Sequence, residues 1–201
     1  MPRATRSSLF RVSDVTARSG VIAGAIAGLV AGLVFAGAHA FIITPIWNRM
    51  IGGLVFGVIA GAAAGWAYAE LLPSAVSSSL RSGLAYGFML WLSVVPVTLT
   101  NVALRANGFA HEHEALTDAI AVILAGAGGT ALGWLRSRRW RAMLACAVAA
   151  VAVTMAMGGP VPIGNGVRPV EILFAVLVAS LIGGAVVGLL QPRLRRRAMP
   201  V

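Results

Sequence analysis

The chain has 201 residues, of which 59% are hydrophobic and only 11% are charged, with a formal net charge of +10. Soluble domains carry about 25% charged residues, so this composition excludes an ordinary soluble fold and indicates an integral membrane protein. The length leaves room for one membrane domain. The arginines lie at segment ends rather than along a groove, which excludes nucleic acid as a partner.

Six apolar segments account for most of the chain, at 20–43, 50–72, 83–104, 117–135, 141–158 and 169–190. Each is close to the ~20 residues that an α-helix needs to cross the hydrocarbon core, and the fifth is the shortest. The sequence therefore predicts an all-α integral membrane protein with six transmembrane helices, arranged as three hairpins in the lipid bilayer. The predicted divisions are a basic cytoplasmic segment, a six-helix transmembrane domain and a basic cytoplasmic tail, at 1–19, 20–190 and 191–201.

The arginines are distributed unevenly between the two sets of segment ends. Of the sixteen basic residues, all arginine, only Arg49, Arg105 and Arg168 flank one side, and the other thirteen flank the opposite side. Cytoplasmic loops of membrane proteins carry an excess of basic residues. We therefore predict that both termini are cytoplasmic and that the protein is a multi-pass protein of the inner (cytoplasmic) membrane.

Glycines recur at intervals of four residues along the first two segments. They are Gly24, Gly28 and Gly32 in the first segment, and Gly53, Gly57, Gly61 and Gly65 in the second. Residues four apart lie on one face of a helix, where the lack of a side chain lets another backbone approach closely. We predict that these two glycine ladders are helix-packing surfaces. They would face each other or a partner, in a homo-oligomer or an assembly with other membrane subunits.

The second, fourth and sixth segments end in similar pairs of small residues. The pairs are Gly65 and Ala69, Gly129 and Gly133, and Gly184 and Gly188. Their matching positions suggest a parallel internal repeat of three hairpins with one orientation. The alternative is that glycine-rich membrane helices resemble one another by chance.

The third segment carries Pro96 in mid-span, followed by Thr100 and Asn101. A proline within a helix removes a backbone donor and usually kinks the helix, which leaves carbonyl groups free. Broken helices often line solute sites in membrane proteins. These three residues are therefore candidates for a solute path, and the alternative is a tolerated kink whose carbonyls bond to nearby hydroxyls.

Imidazole and carboxylate groups concentrate in NGFAHEHEALTD, residues 107–118, on the predicted external side. The candidates there are His111, His113, Glu114 and Asp118, and His39 approaches from the same side. In a helix His111, Glu114 and Asp118 would share a face, whereas in an extended segment the two loop histidines would share a side. Such groups bind divalent transition-metal ions such as Zn, Ni, Co or Cu. The alternative is a solvated loop whose acids lie near the positive end of the fourth helix.

The sequence contains no H-E-x-x-H, G-x-S-x-G or Walker A motif, and we do not predict an enzyme. Two functions stay open. The favoured one is a transporter or channel for a small solute or a divalent cation, or one subunit of it. The other is a non-catalytic structural or assembly subunit of a larger membrane complex.

Overall fold

The computed structural model describes residues 6–40, 47–71, 79–157 and 169–198. Helices occupy nearly all of them: α1 (Arg6–Ala40), α2 (Trp47–Leu71), α3 (Leu80–Ala106), α4 (Phe109–Glu112), α5 (Glu114–Ser137), α6 (Trp140–Met157) and α7 (Pro169–Ala198). No strand occurs among these described residues. The prediction of an all-α protein is therefore confirmed.

Five of these helices, α1, α2, α3, α5 and α7, are long and apolar enough to cross a membrane. The predicted fifth span is α6, whose 18 residues measure about 27 Å, slightly less than the ~30 Å hydrocarbon core. These lengths and compositions are those of a multi-pass membrane protein. The prediction of six spans is thus confirmed for five segments, and the sidedness of the termini stays a prediction.

The first and last helices extend beyond the apolar segments that predicted them. α1 begins at Arg6, well before residue 20, and α7 continues to Ala198, beyond residue 190. Hydropathy marks the part of a helix suited to lipid, whereas backbone hydrogen bonding continues into polar residues with good helix propensity. Most of the residues expected to form separate basic ends are therefore continuous with the first and last helices.

The six long helices form a closed ring of contacts in the order α1, α2, α6, α5, α3, α7 and back to α1. The first two spans are packed as the predicted hairpin, and so, less extensively, are α3 and α5. The last two spans are not: in the described residues α6 packs on α2 and α5, and α7 packs on α1 and α3. α6 and α7 therefore lie on opposite sides of the ring, and the third predicted hairpin is not a packed pair.

Alanine is the commonest buried residue of this ring, and many large apolar side chains face outward. Ala23, Ala67 and Ala145 are fully buried, whereas Ile123 and Leu135 are about two-thirds or more exposed. A soluble protein shows the reverse arrangement, because burial of large apolar side chains drives its folding. In lipid that drive is absent, and helices associate through close contact of small residues.

Candidate functional site

The ring surrounds a cavity of about 110 Å³ at its centre. The lining residues come from α1, α2, α3, α6 and α7, and they include six alanines and seven glycines. The polar groups among them belong to Tyr86 and Ser180. Most of the lining side chains are small, which leaves space between the five helices.

The cavity is elongated along the bundle. On α7 its lining extends from Val176 to Val187, which corresponds to about 16 Å at 1.5 Å per residue. On α6 the lining residues are Val153 and Ala156, near the end of that helix at Met157. We call the end of the bundle where α3 and α6 begin, and where Arg81 and Arg141 lie, the basic end. The other end, where α6 ends, is the opposite end.

The two tyrosines of the chain meet between the cavity and the basic end. Tyr68 on α2 and Tyr86 on α3 pack edge to face, with ring centroids 5.2 Å apart and planes at 65°. Their exposed fractions are only 1% and 6%. Because α2 and α3 lie on opposite sides of the ring, these side chains reach across its middle. We call them the crossed tyrosine pair.

Each tyrosine hydroxyl bonds to the helix that carries the other ring. The Tyr86 hydroxyl on α3 donates to the Ala64 carbonyl oxygen on α2, at 2.7 Å. The Tyr68 hydroxyl on α2 lies 2.9 Å from the Ser82 hydroxyl on α3. Ser82 donates its own proton to the Ser79 carbonyl, so Tyr68 is the donor in this second bond. Two hydrogen bonds and one ring contact therefore tie α2 to α3 across the ring.

Sequence reasoning did not single out this pair. Both tyrosines lie close to the ends of apolar segments, where tyrosine is typically an anchor at the membrane surface. The available signal was that they are the only two tyrosines in the chain and that both lie at the same predicted side. That signal does not say whether the rings face outward or inward, which depends on how α2 and α3 are rotated in the ring.

An ion pair lies near the crossed tyrosine pair, at the basic end. Glu70 on α2 and Arg141 on α6 are 3.5 Å apart, with side chains 17% and 44% exposed. Neighbouring helices of the ring are thereby joined at the surface. An ion pair of this exposure contributes little to stability, typically about 0–1 kcal/mol.

The predicted glycine ladders face each other in the α1–α2 contact. A methyl group added at Gly24 would overlap the Gly61 carbonyl, and one added at Gly28 would overlap the Gly57 carbonyl. A methyl group added at Gly65 would lie 2.7 Å from the Gly24 Cα, which is also too close. Of the two other predicted positions, Gly32 lines the cavity near Gly57, and the surroundings of Gly53 lie outside the described residues. Within this chain the two ladders are therefore occupied by each other.

The matching small pairs of the suggested repeat also lie at close helix contacts, but with different kinds of partner. Gly65 on α2 meets the preceding span, Gly129 on α5 meets the following span, and Gly184 on α7 meets α3. A repeat of three equivalent hairpins would pair each of them in the same way. The internal repeat stays a prediction.

Pro96 and Thr100, two of the three residues predicted for a solute path, do not line the cavity. Pro96 is exposed on the outer face of α3, together with Leu92 and Leu99. Thr100 is half-buried and lies outside the cavity lining. Asn101 belongs to α3, but its side chain lies outside the described residues.

The predicted metal-binding segment is neither one helix nor one extended strand. α4 ends at Glu112 and α5 begins at Glu114, with His113 between them at φ −131° and its ring 4.7 Å from that of Phe109. Glu114 and Asp118 are exposed. His111 therefore lies on a different helix from these two acids.

Two of the predicted ligands have side chains outside the described part of the chain. They are His39 in α1 and His111 in α4. Among the side chains that are described, no group of three or more histidines, cysteines or acids is placed to hold a metal ion. The metal site stays a prediction, because its proposed centre depends on those two histidines.

In comparisons with known proteins, no family model, curated protein or solved structure matches this chain. The function of the chain is therefore inferred from its own structure. Three features carry it: the central cavity, the crossed tyrosine pair and the ring of helices that holds them.

Proposed function

We propose that this multi-pass membrane protein is a small-solute transporter, with the central cavity as its solute-binding site. The observation that carries this proposal is the space of about 110 Å³ between five helices. A bundle that serves only as a scaffold has no need of such a space, since membrane helices associate through close packing. A solute bound in this cavity would contact side chains from five helices at once.

The chemistry of the lining supports an uncharged or amphipathic solute. No carboxylate, imidazole or thiol group lies among the described lining residues, and the polar groups are the hydroxyls of Tyr86 and Ser180. A divalent cation needs several oxygen, nitrogen or sulfur ligands to replace its hydration shell. The cavity therefore favours the small-solute form of the function over the cation form.

The volume of the cavity limits the size of the solute that can bind. Apolar cavities of about 150 Å³ hold a molecule such as benzene, whereas pockets for drug-sized ligands measure roughly 300–1,000 Å³. A wholly apolar molecule of this size dissolves in lipid and crosses a bilayer without a protein. The solute class that combines these limits is a short amphipathic molecule, with its apolar part in the cavity and its polar group toward the opposite end.

The alternative function, a structural subunit, rests on the glycine ladders as surfaces for a partner. The contacts between Gly24 and Gly61 and between Gly28 and Gly57 join α1 to α2 within one chain. These four glycines are therefore covered without a second molecule. This favours the transporter over the structural subunit.

The test is equilibrium binding of a homologous series of short carboxylates, from acetate to octanoate, by protein in lipid nanodiscs. Isothermal titration calorimetry against empty nanodiscs measures the affinity. Each methylene group that enters the cavity should raise the affinity about fourfold, from about 0.8 kcal/mol per group. The increase should stop at the chain length that fills the cavity.

Two glycine variants provide the control. Gly183 lines the cavity and its nearest non-local neighbour is Ala31 Cβ, 3.6 Å from an added Cβ, so Gly183→Leu should fill the space and abolish binding. Gly126 lies outside the cavity lining with comparable room, 3.9 Å from Val151, so Gly126→Leu should keep wild-type affinity. Binding without chain-length dependence, or binding unchanged by Gly183→Leu, would contradict the transporter and favour the structural subunit.

A further inference from the structure

The crossed tyrosine pair lies where the cavity lining ends toward the basic end, and Tyr86 belongs to that lining. α2 and α3 stand on opposite sides of the ring, and the crossed tyrosine pair bridges the distance between them. Tyr86 itself lines the cavity, and Tyr68 lies behind it with 1% of its surface exposed. A barrier made of side chains can move without unfolding a helix, because aromatic side chains change rotamer while the backbone stays helical.

Residues from all six long helices pack around the two rings. The cluster includes Leu71, Cys146 and Val187, with Leu132 of α5 packed against it. Cys146 is only 1% exposed. On α6 it lies about 10 Å closer to the basic end than Val153, which lines the cavity. Because Cys146 is buried in the same cluster as the two rings, its modification reports loosening of the packing around the tyrosines.

Two hydroxyl hydrogen bonds hold the tyrosine rings in their crossed arrangement. Tyr86 is bonded to Ala64 and Tyr68 to Ser82, so each ring is attached to the helix on the far side. Ser82 is in turn held at the start of α3 by a reciprocal pair of bonds with Ser79. The hydrogen bond from Tyr68 therefore ends on a side chain that is itself bonded at the start of α3.

We propose that the crossed tyrosine pair is the barrier residue pair of the solute path, separating the cavity from the basic end of the ring. Opening consists of breaking the hydrogen bonds from Tyr86 to Ala64 and from Tyr68 to Ser82, followed by rotation of the rings away from each other. This inference rests on the proposed transport function, since a barrier has a role only if the cavity lies on a path.

The test uses Cys146, the only cysteine in the chain. A small, positively charged methanethiosulfonate reagent is added to protein in nanodiscs, where both ends are accessible, and mass spectrometry follows the modification rate. The wild type should react slowly. Tyr68→Ala and Tyr86→Ala should react much faster, because each removes half of the barrier.

Phe88→Ala is the matched control for the loss of an aromatic ring. Phe88 lies on α3, two residues from Tyr86, but it is 43% exposed on the outer face. This variant should keep the wild-type modification rate. An increase equal to that of Tyr86→Ala would overturn the proposal, because it would show that any loss of a ring from α3 loosens the bundle.

A second pair of variants keeps the proposal testable if the alanine variants do not fold. Ser82→Ala removes the bond from Tyr68 and the two bonds that the Ser82 hydroxyl makes with the Ser79 backbone. Ser79→Ala removes the bond from the Ser82 N–H to the Ser79 hydroxyl and leaves Tyr68 bonded. Ser82→Ala should increase the modification rate about fivefold, the factor expected for one ordinary hydrogen bond. Ser79→Ala should not.

The results separate this inference from the proposed function. Rapid modification of wild-type Cys146, or equal rates in Ser82→Ala and Ser79→Ala, would overturn the barrier even if carboxylates bind in the cavity. Absence of carboxylate binding, with the expected pattern of Cys146 modification, would overturn the solute site and leave the closure of the ring by the tyrosines intact.

Discussion

The contact between α1 and α2 leaves no room for a side chain at Gly61, so Gly61→Ala should weaken the bundle. An added Cβ would lie 2.5 Å from the Gly28 Cα and 2.6 Å from the Gly28 nitrogen, and it would overlap the Gly24 carbonyl. Carbon atoms in contact normally stand about 3.5–4.0 Å apart, so the two helices would have to separate by about 1 Å. Because the opposing atoms belong to the backbone, rotation of a side chain cannot relieve the overlap.

The magnitude follows from two opposing effects. Overpacking costs about 1–3 kcal/mol, whereas replacing glycine by alanine within a helix gains about 1 kcal/mol in helix propensity. Gly126→Ala has the same gain without the overlap, since its nearest non-local neighbour is Val151 at 3.9 Å. Gly61→Ala should therefore be about 1–3 kcal/mol less stable than Gly126→Ala. Gly57→Ala should lie between them, because its closest contacts are 2.8 Å and 3.3 Å.

The assay is reversible unfolding in mixed micelles by titration with a denaturing detergent, followed by the fluorescence of the five tryptophans. The free energy of unfolding should decrease in the order Gly126→Ala, Gly57→Ala, Gly61→Ala. Equal free energies of unfolding for Gly61→Ala and Gly126→Ala would refute the reasoning, because it requires that α1 and α2 touch at this glycine. Leucine at Gly57 or Gly61 should disrupt the bundle more strongly than alanine does.

Two further predictions concern orientation and metal binding. Cysteine labelling or reporter fusions should place the loops near Arg81 and Arg138 in the cytoplasm and those near Arg49 and Arg168 outside; an external Arg138 would reverse the orientation. Calorimetry should detect binding of Zn, Ni, Co or Cu that disappears when His39, His111 and His113 are all replaced by alanine. The binding should weaken as the pH falls, since only neutral imidazole binds a metal. Binding that survives the replacement would exclude the predicted cluster.

The positions of the helices along the chain follow closely from hydropathy. All six apolar segments are helical over their described residues, because an unpaired backbone group in lipid is costly and the helix satisfies its own. The glycines at intervals of four were likewise recognisable as one face, since that spacing depends on helix geometry alone. The helix ends were less predictable, as α1 and α7 show by continuing into basic residues.

The cavity and the crossed tyrosine pair could not be predicted in the same way. Sequence order suggested that α6 and α7 pair, whereas they lie on opposite sides of the ring. Pro96 and the described side chains of the predicted metal-binding segment, His113, Glu114 and Asp118, lie outside the cavity lining. Tyr68 and Tyr86 have the sequence positions of surface anchors and face the centre instead.

The sequence by itself determined which segments are helices suited to lipid, and which faces of α1 and α2 allow close approach, because both properties depend on residues within a few turns of one another. Only the tertiary structure decided the order of helices around the ring, and hence what meets at its centre. That order depends on contacts between residues far apart in the chain, such as Gly83 with Gly184 and Tyr68 with Tyr86. Apolar side chains gain nothing by leaving lipid for one another, so the hydrophobic pattern carries no information about which helix faces which.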